Sequence, residues 1–151
     1  MYNFLEKLWY VGTIDRTCFH DVDIFDRPYG FSSNGTLYIH ETGKNDDAQN
    51  LKATLKTSEF DIGDGDKLMF IDRIIPDHTI EREFNYQINY KKYPQGTESF
   101  EKGPFRVTPS TRKFHPRIRG RQASITYSTS VQGSDFRLGS DRISIKPDGE
   151  R

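Results

Sequence analysis

An all-β fold is what this sequence predicts, and three observations predict it. The apolar set is small and ring-rich: 33% of the 151 residues are hydrophobic, yet 11 Phe, 8 Tyr and one Trp are among them. Aromatic side chains fit a pleated, half-buried surface better than a helix. No window of a dozen residues holds apolar side chains at the three-and-four spacing of an amphipathic helix. Turn residues recur every eight to twelve positions through the second half of the chain, the spacing of a β-sandwich. The expected architecture is an antiparallel, jelly-roll-like sandwich over residues 51–151, preceded by propeller-like or linking strands in residues 1–50.

Taken in order, the stretch from Leu8 through Ile24 alternates loosely and predicts two short strands. Ser33-Asn34-Gly35 signals a tight turn before a strand Thr36–His40, and a polar loop is expected from Gly43 to Asn50. This reads as the last blade of a propeller, whose apolar edges need a neighbour. Ala53, Leu55 and Thr57 share one face of the next strand, and Phe60-Asp61-Ile62 leads into an acidic glycine turn. Lys67–Ile75 is nearly continuously apolar and predicts a strand buried on both faces, ended by Pro76. Glu83–Tyr93 alternates, with Phe84, Tyr86, Ile88 and Tyr90 on one side. Pro94–Pro104 reads as a loop. Five short strands follow: Phe105–Thr108, Phe114–Arg119, Gln122–Ser130, Asp135–Leu138 and Arg142–Lys146.

The net charge of zero conceals an asymmetry. Residues 1–101 carry 11 Lys+Arg against 18 Asp+Glu, and residues 102–151 carry 11 against 4. Opposite ends of such a chain suit head-to-tail or side-by-side association, or two solvated faces of one monomer. The basic run Arg112–Arg121 places Arg117, Arg119 and Arg121 on one face of a strand, where guanidinium forks can grip carboxylates of a neighbouring subunit or phosphates of a nucleic acid. Arg137 and Arg142 extend the basic set. Asp61, Asp64 and Asp66 supply the complementary acidic turn; calcium binding is the alternative for these three carboxylates, although the bidentate Glu of an EF-hand is missing. Other readings give the basic third a nucleic-acid role with Phe114, Tyr127 and Phe136 against bases, or give Tyr86, Tyr90 and Tyr93 a carbohydrate.

Catalytic patterns are missing from the sequence. The four histidines stand singly at 20, 40, 78 and 115, Cys18 has no second cysteine, and no glycine spacing fits a phosphate or dinucleotide loop. The expectation is a non-enzyme without cofactor or metal. No apolar run is long enough for a membrane span, and the opening residues lack a secretory pattern.

Several stretches carry a resemblance, in the same order along the chain. They are Trp9-Tyr10-Val11-Gly12, Gly35–Glu41, Ser58–Asp66 with Met69–Asp77, and Arg117–Gln122, Phe136–Gly139 and Arg142–Arg151. Together they resemble the C-terminal region of the tail hub, or nozzle, proteins of short-tailed phages, the packaged-DNA stabilisation type. The resemblance implies a structural protein of the virion tail, made in the host cytoplasm. It further implies ring formation with itself or a longer tail subunit, contact with adaptor or portal proteins, and proximity to DNA. Members are much longer than this chain. No catalytic residue comes across from them.

Overall fold

The computed structural model describes residues 2–5, 7–9 and 11–149. Among these there is no helix, and the strands fall into several antiparallel sheets of a sandwich-like all-β protein. Two compact units are present, Met1–Gly43 and Lys44–Arg151. The division falls before the expected one at residue 50, because Lys44 is ion-paired with Glu81 and Asp135, and the Asn45 side chain accepts the Gly133 N–H at 2.7 Å.

In the first unit β1 (Tyr2–Asn3) pairs with β2 (Leu8–Trp9), and β3 (Cys18–His20), β4 (Tyr29–Phe31) and β5 (Leu37–Ile39) form a three-stranded meander. The turn between β4 and β5 is the one expected at Ser33-Asn34-Gly35. The Gly35 N–H donates to the Ser32 carbonyl, and Gly35 takes a φ of +83°, a conformation that favours glycine. Arg16 crosses Gly30 to donate to His40 Nε2 at 3.1 Å and stacks on Tyr38; a Cβ on Gly30 would come within 2.8 Å of that nitrogen.

The second unit opens with a small hairpin, β6 (Asn45–Asp46) and β7 (Gln49–Asn50), in place of the expected loop. Asp47 makes the turn by adopting a left-handed φ of 57°. Then follow β8 (Ala53–Lys56), β9 (Phe60–Asp61), β10 (Met69–Ile75), β11 (His78–Ile80), β12 (Phe84–Lys91) and β13 (Phe100–Val107). The last four are β14 (Ile118–Gly120), β15 (Gln122–Thr129), β16 (Phe136–Leu138) and β17 (Arg142–Pro147). One layer has the order β13-β12-β15-β8, with β9 also on β15; the other contains β14-β10-β17 and the pair β11-β16. Because β10 runs into β11 and β16 runs into β17, these last two sheets continue one antiparallel ribbon. It breaks at Pro76-Asp77 opposite Gly139-Ser140-Asp141.

The core lies between the layers. Phe84, Tyr86 and Ile88 of β12 and Ala123, Ile125 and Tyr127 of β15 meet Met69, Ile71 and Ile74 of β10 and Ile118 of β14. Phe84 stacks on Phe136 at 5.4 Å, and Tyr86 meets Tyr127 edge-on at 4.7 Å, geometries that add to simple burial.

Three local expectations are corrected. β10 is buried on one face, not two: Met69, Ile71 and Ile74 point inward, and a bulge between Ile71 and Arg73 absorbs the residue that would otherwise turn Ile74 outward. The segment Pro94–Pro104 is not all loop, since β13 starts at Phe100, stacked on Tyr90 at 5.5 Å; as an edge strand it tolerates Pro104. Phe114–Arg119 is not one strand. Phe114 makes an isolated bridge to Ile74, Pro116 is buried, and Arg117 has a φ of 52°, so the strand begins only at Ile118.

Candidate functional surfaces

Register decides which cations share a surface. Residues directly opposite one another in a ladder project to the same side of the sheet. Ile71 faces Ile118 and Ile145, and Ile74 faces Ile143, all on the core side. The intervening positions therefore point outward: Phe70 with Arg119 and Lys146, Arg73 with Ser144, and Ile75 with Arg142. In β16, Phe136 and Leu138 pack inward, which turns Arg137, opposite Thr79, to the same outer side. Arg73, Arg119, Arg137, Arg142 and Lys146 are all exposed. From Phe70 to Thr79 the ribbon runs about 30 Å at the usual rise per residue.

Of these five cations, Arg119 is paired, with Asp148 at 2.6 Å, and its guanidinium also lies over Phe70. The other four make no ion pair among the described residues. Three expected residues, Arg119, Arg137 and Arg142, are thus brought together; Arg73 and Lys146 join them and do not stand out in the sequence. Arg73 looks like a charge interrupting an apolar run, and only the bulge reveals that it faces out.

The other two arginines part from this group. Arg117 is exposed but sits at the left-handed residue before β14, out of the alternation expected for it. Arg121 lies beyond β14 and donates to the carbonyls of Gly65 and Asp66, with Tyr93 beneath its guanidinium. It therefore meets the acidic turn within one chain. Backbone oxygens of the turn are among its partners. Asp61, Asp64 and Asp66 themselves do not converge: among the described residues no three His, Cys, Asp or Glu side chains gather to hold a metal ion.

The expected aromatic contact sets do not form surfaces. Tyr127 is buried, and Phe114 and Phe136 pack against the core, so none of the three is displayed to a base. Tyr86 is fully buried and Tyr90 is covered by Phe100; Tyr93 alone is exposed. Alternation identifies the buried face of β12, and that same face is closed to a sugar.

The apolar surface is elsewhere. In residues 11–43 the buried residues are Pro28, Gly30 and Ser32, none of them a large apolar side chain. Val11, Ile14, Phe19, Ile24, Phe31, Leu37 and Ile39 are all exposed, Ile24 at 82%. A shallow hollow of about 510 Å³ is lined by Ile24, Phe25, Tyr29 and Ile39 among others.

At the ribbon break is a part-buried polar knot. Asp141 accepts the Tyr127 hydroxyl at 2.8 Å, the Tyr86 hydroxyl at 3.0 Å and the Asp77 N–H at 2.9 Å. The Asp77 carboxylate in turn accepts the Ser140 N–H at 3.0 Å. Burial first, and then the neighbouring Asp141 carboxylate, holds both phenols well above their usual range. Two phenols held on one carboxylate at the ribbon break tie β12 and β15 to the residue just before β17. Compared with models of known protein families and with curated proteins, the chain matches none. The class defined by fold and surfaces is a sandwich-like β protein with one basic outer face and a separate, apolar-surfaced strand unit.

Proposed function

We propose that this chain is a non-enzymatic structural subunit that works by assembly, and that its setting is the tail of a short-tailed phage. There it joins copies of itself or a longer hub or nozzle subunit in a ring, next to adaptor or portal proteins, after synthesis in the host cytoplasm. The observation that carries the reading is the exposed apolar set of residues 11–43. A three-stranded meander with Phe19, Phe31, Leu37 and Ile39 exposed is the kind of element that another layer covers. The ordered resemblance of Trp9–Gly12, Gly35–Glu41 and the C-terminal stretches to hub proteins supplies the setting. Among the described residues no helix is long and apolar enough to cross a membrane.

Light scattering on the purified chain tests the assembly. A mass well above 17.6 kDa that persists in high salt is the expected result, because apolar contact is not screened. The double substitution Ile24→Asp, Phe31→Asp should return it to the monomer. A chain that is monomeric at high concentration in both low and high salt, and that retains no phage tail protein on a column, would refute the proposal.

A further inference from the structure

The outer face of the β14-β10-β17 sheet and its β11-β16 continuation calls for a partner different from the apolar unit's. Its outward side chains are Arg119, Phe70 and Lys146, then Arg73 and Ser144, then Ile75 and Arg142, then Thr79 and Arg137. We infer that this face binds the phosphate backbone of double-stranded nucleic acid without sequence preference.

Three features favour a polyanion of this kind over a protein. The centre of a protein interface is apolar and depleted in charge, whereas here the apolar side chains are the half-buried Ile75 and Phe70, the latter with Arg119 above it. Cations occur at four levels along about 30 Å of ribbon, close to one turn of duplex, about 34 Å, with the exposed Asp77 at the break before the last of them. The remaining outward groups, Ser144 and Thr79, are hydroxyls suited to phosphate oxygens, and the face carries no Asn, Gln or exposed ring that would read a base edge. Of the carboxylates nearby, Asp148 is paired with Arg119, Asp141 accepts the tyrosine hydroxyls, the exposed Asp77 accepts the Ser140 N–H, and Asp72 lies 3.9 Å from His115. Residues 44–151 carry 19 Lys+Arg against 16 Asp+Glu, a small excess, so attraction depends on this local clustering rather than on net charge.

The test is fluorescence anisotropy with a labelled duplex of arbitrary sequence, titrated with the full chain from low to moderate salt. Binding should appear at low salt. Four phosphate contacts give a log–log salt slope of about −3.6, so affinity falls on the order of 100-fold between roughly 50 and 200 mM salt. The double variant Arg137→Ala, Arg142→Ala should flatten the slope by about two. Arg106→Ala, on the opposite layer, should leave it unchanged. Duplex affinity that is absent at low salt, unaltered in the double variant or equally weakened by Arg106→Ala overturns the inference. Light scattering separates it from the assembly reading: the double variant keeps the parent's mass, and its dissociation would make this face a protein interface instead.

Discussion

Residues 44–149 and residues 2–43 draw on the same kinds of apolar side chain and use them in opposite ways. The eleven hydrophobic residues that form the core all lie in the first of these regions, while Val11, Ile14, Ile24 and Phe31 in the second stay in solvent. The difference is one of layers. β12 and β15 have β10 and β14 stacked across from them, so each inward residue finds neighbours; among the described residues of the β3-β4-β5 meander no large apolar side chain is buried. Apolar content does not make a core. A second layer does.

The sharpest way to break this contrast is to cut one large side chain from each region. Phe84→Ala should cost about 3–5 kcal/mol, read as a fall in the urea midpoint. Ile24→Ser, measured at a chain concentration low enough to dissociate the assembly, should change that midpoint by less than about 0.5 kcal/mol. A large loss at Ile24 would mean that the first unit has a core of its own.

Glycine substitution probes the packing of the second unit at a single point. Gly103 has a φ of +120°, and a Cβ there would lie 2.7 Å from the Tyr86 carbonyl oxygen. Gly103→Ala should therefore destabilise by about 1–3 kcal/mol. Gly12, with nothing within 4 Å of an added methyl and no positive φ, should accept alanine without measurable loss.

Alkaline pH separates the regions a third way. Tyr86 and Tyr127 have folded pKa values raised above those of the unfolded chain, so the folded state holds the more protons. Their contribution is intact below about pH 10 and is lost as pH rises above it, by up to about 1.4 kcal/mol per pH unit for each tyrosine. Tyr127→Phe should make the urea midpoint less steep in pH above 10; an unchanged slope would contradict the Asp141 knot. The smallest effect belongs to the surface: Arg106→Ala, which removes the pairing with Glu83, should cost no more than about 1 kcal/mol.

Much of the second unit is legible in the sequence, because period-two alternation reports burial directly. Phe84, Tyr86 and Ile88 are identified that way, and turn chemistry identifies the bend at Gly35 in the first unit. What alternation cannot report is an interruption. The bulge after Ile71 and the left-handed Arg117 each reset the phase without a glycine to mark it, so β10 reads as two-sided and three arginines read as collinear. The basic face is half legible for the same reason. Arg119, Arg137 and Arg142 stand out as charges, but their common side depends on pairings between residues far apart in the chain, such as Ile75 with Arg142. The Asp141 knot has no local signal at all, since its partners come from three separate strands or turns.

The knot has a spectroscopic consequence. Phenol protons normally trade with water too fast to be observed, but those of Tyr86 and Tyr127 are both donated to one carboxylate at the ribbon break. Two hydroxyl resonances should therefore survive in the proton spectrum near neutral pH, moved downfield by the charged acceptor. They would serve as built-in reporters of whether the two layers are closed.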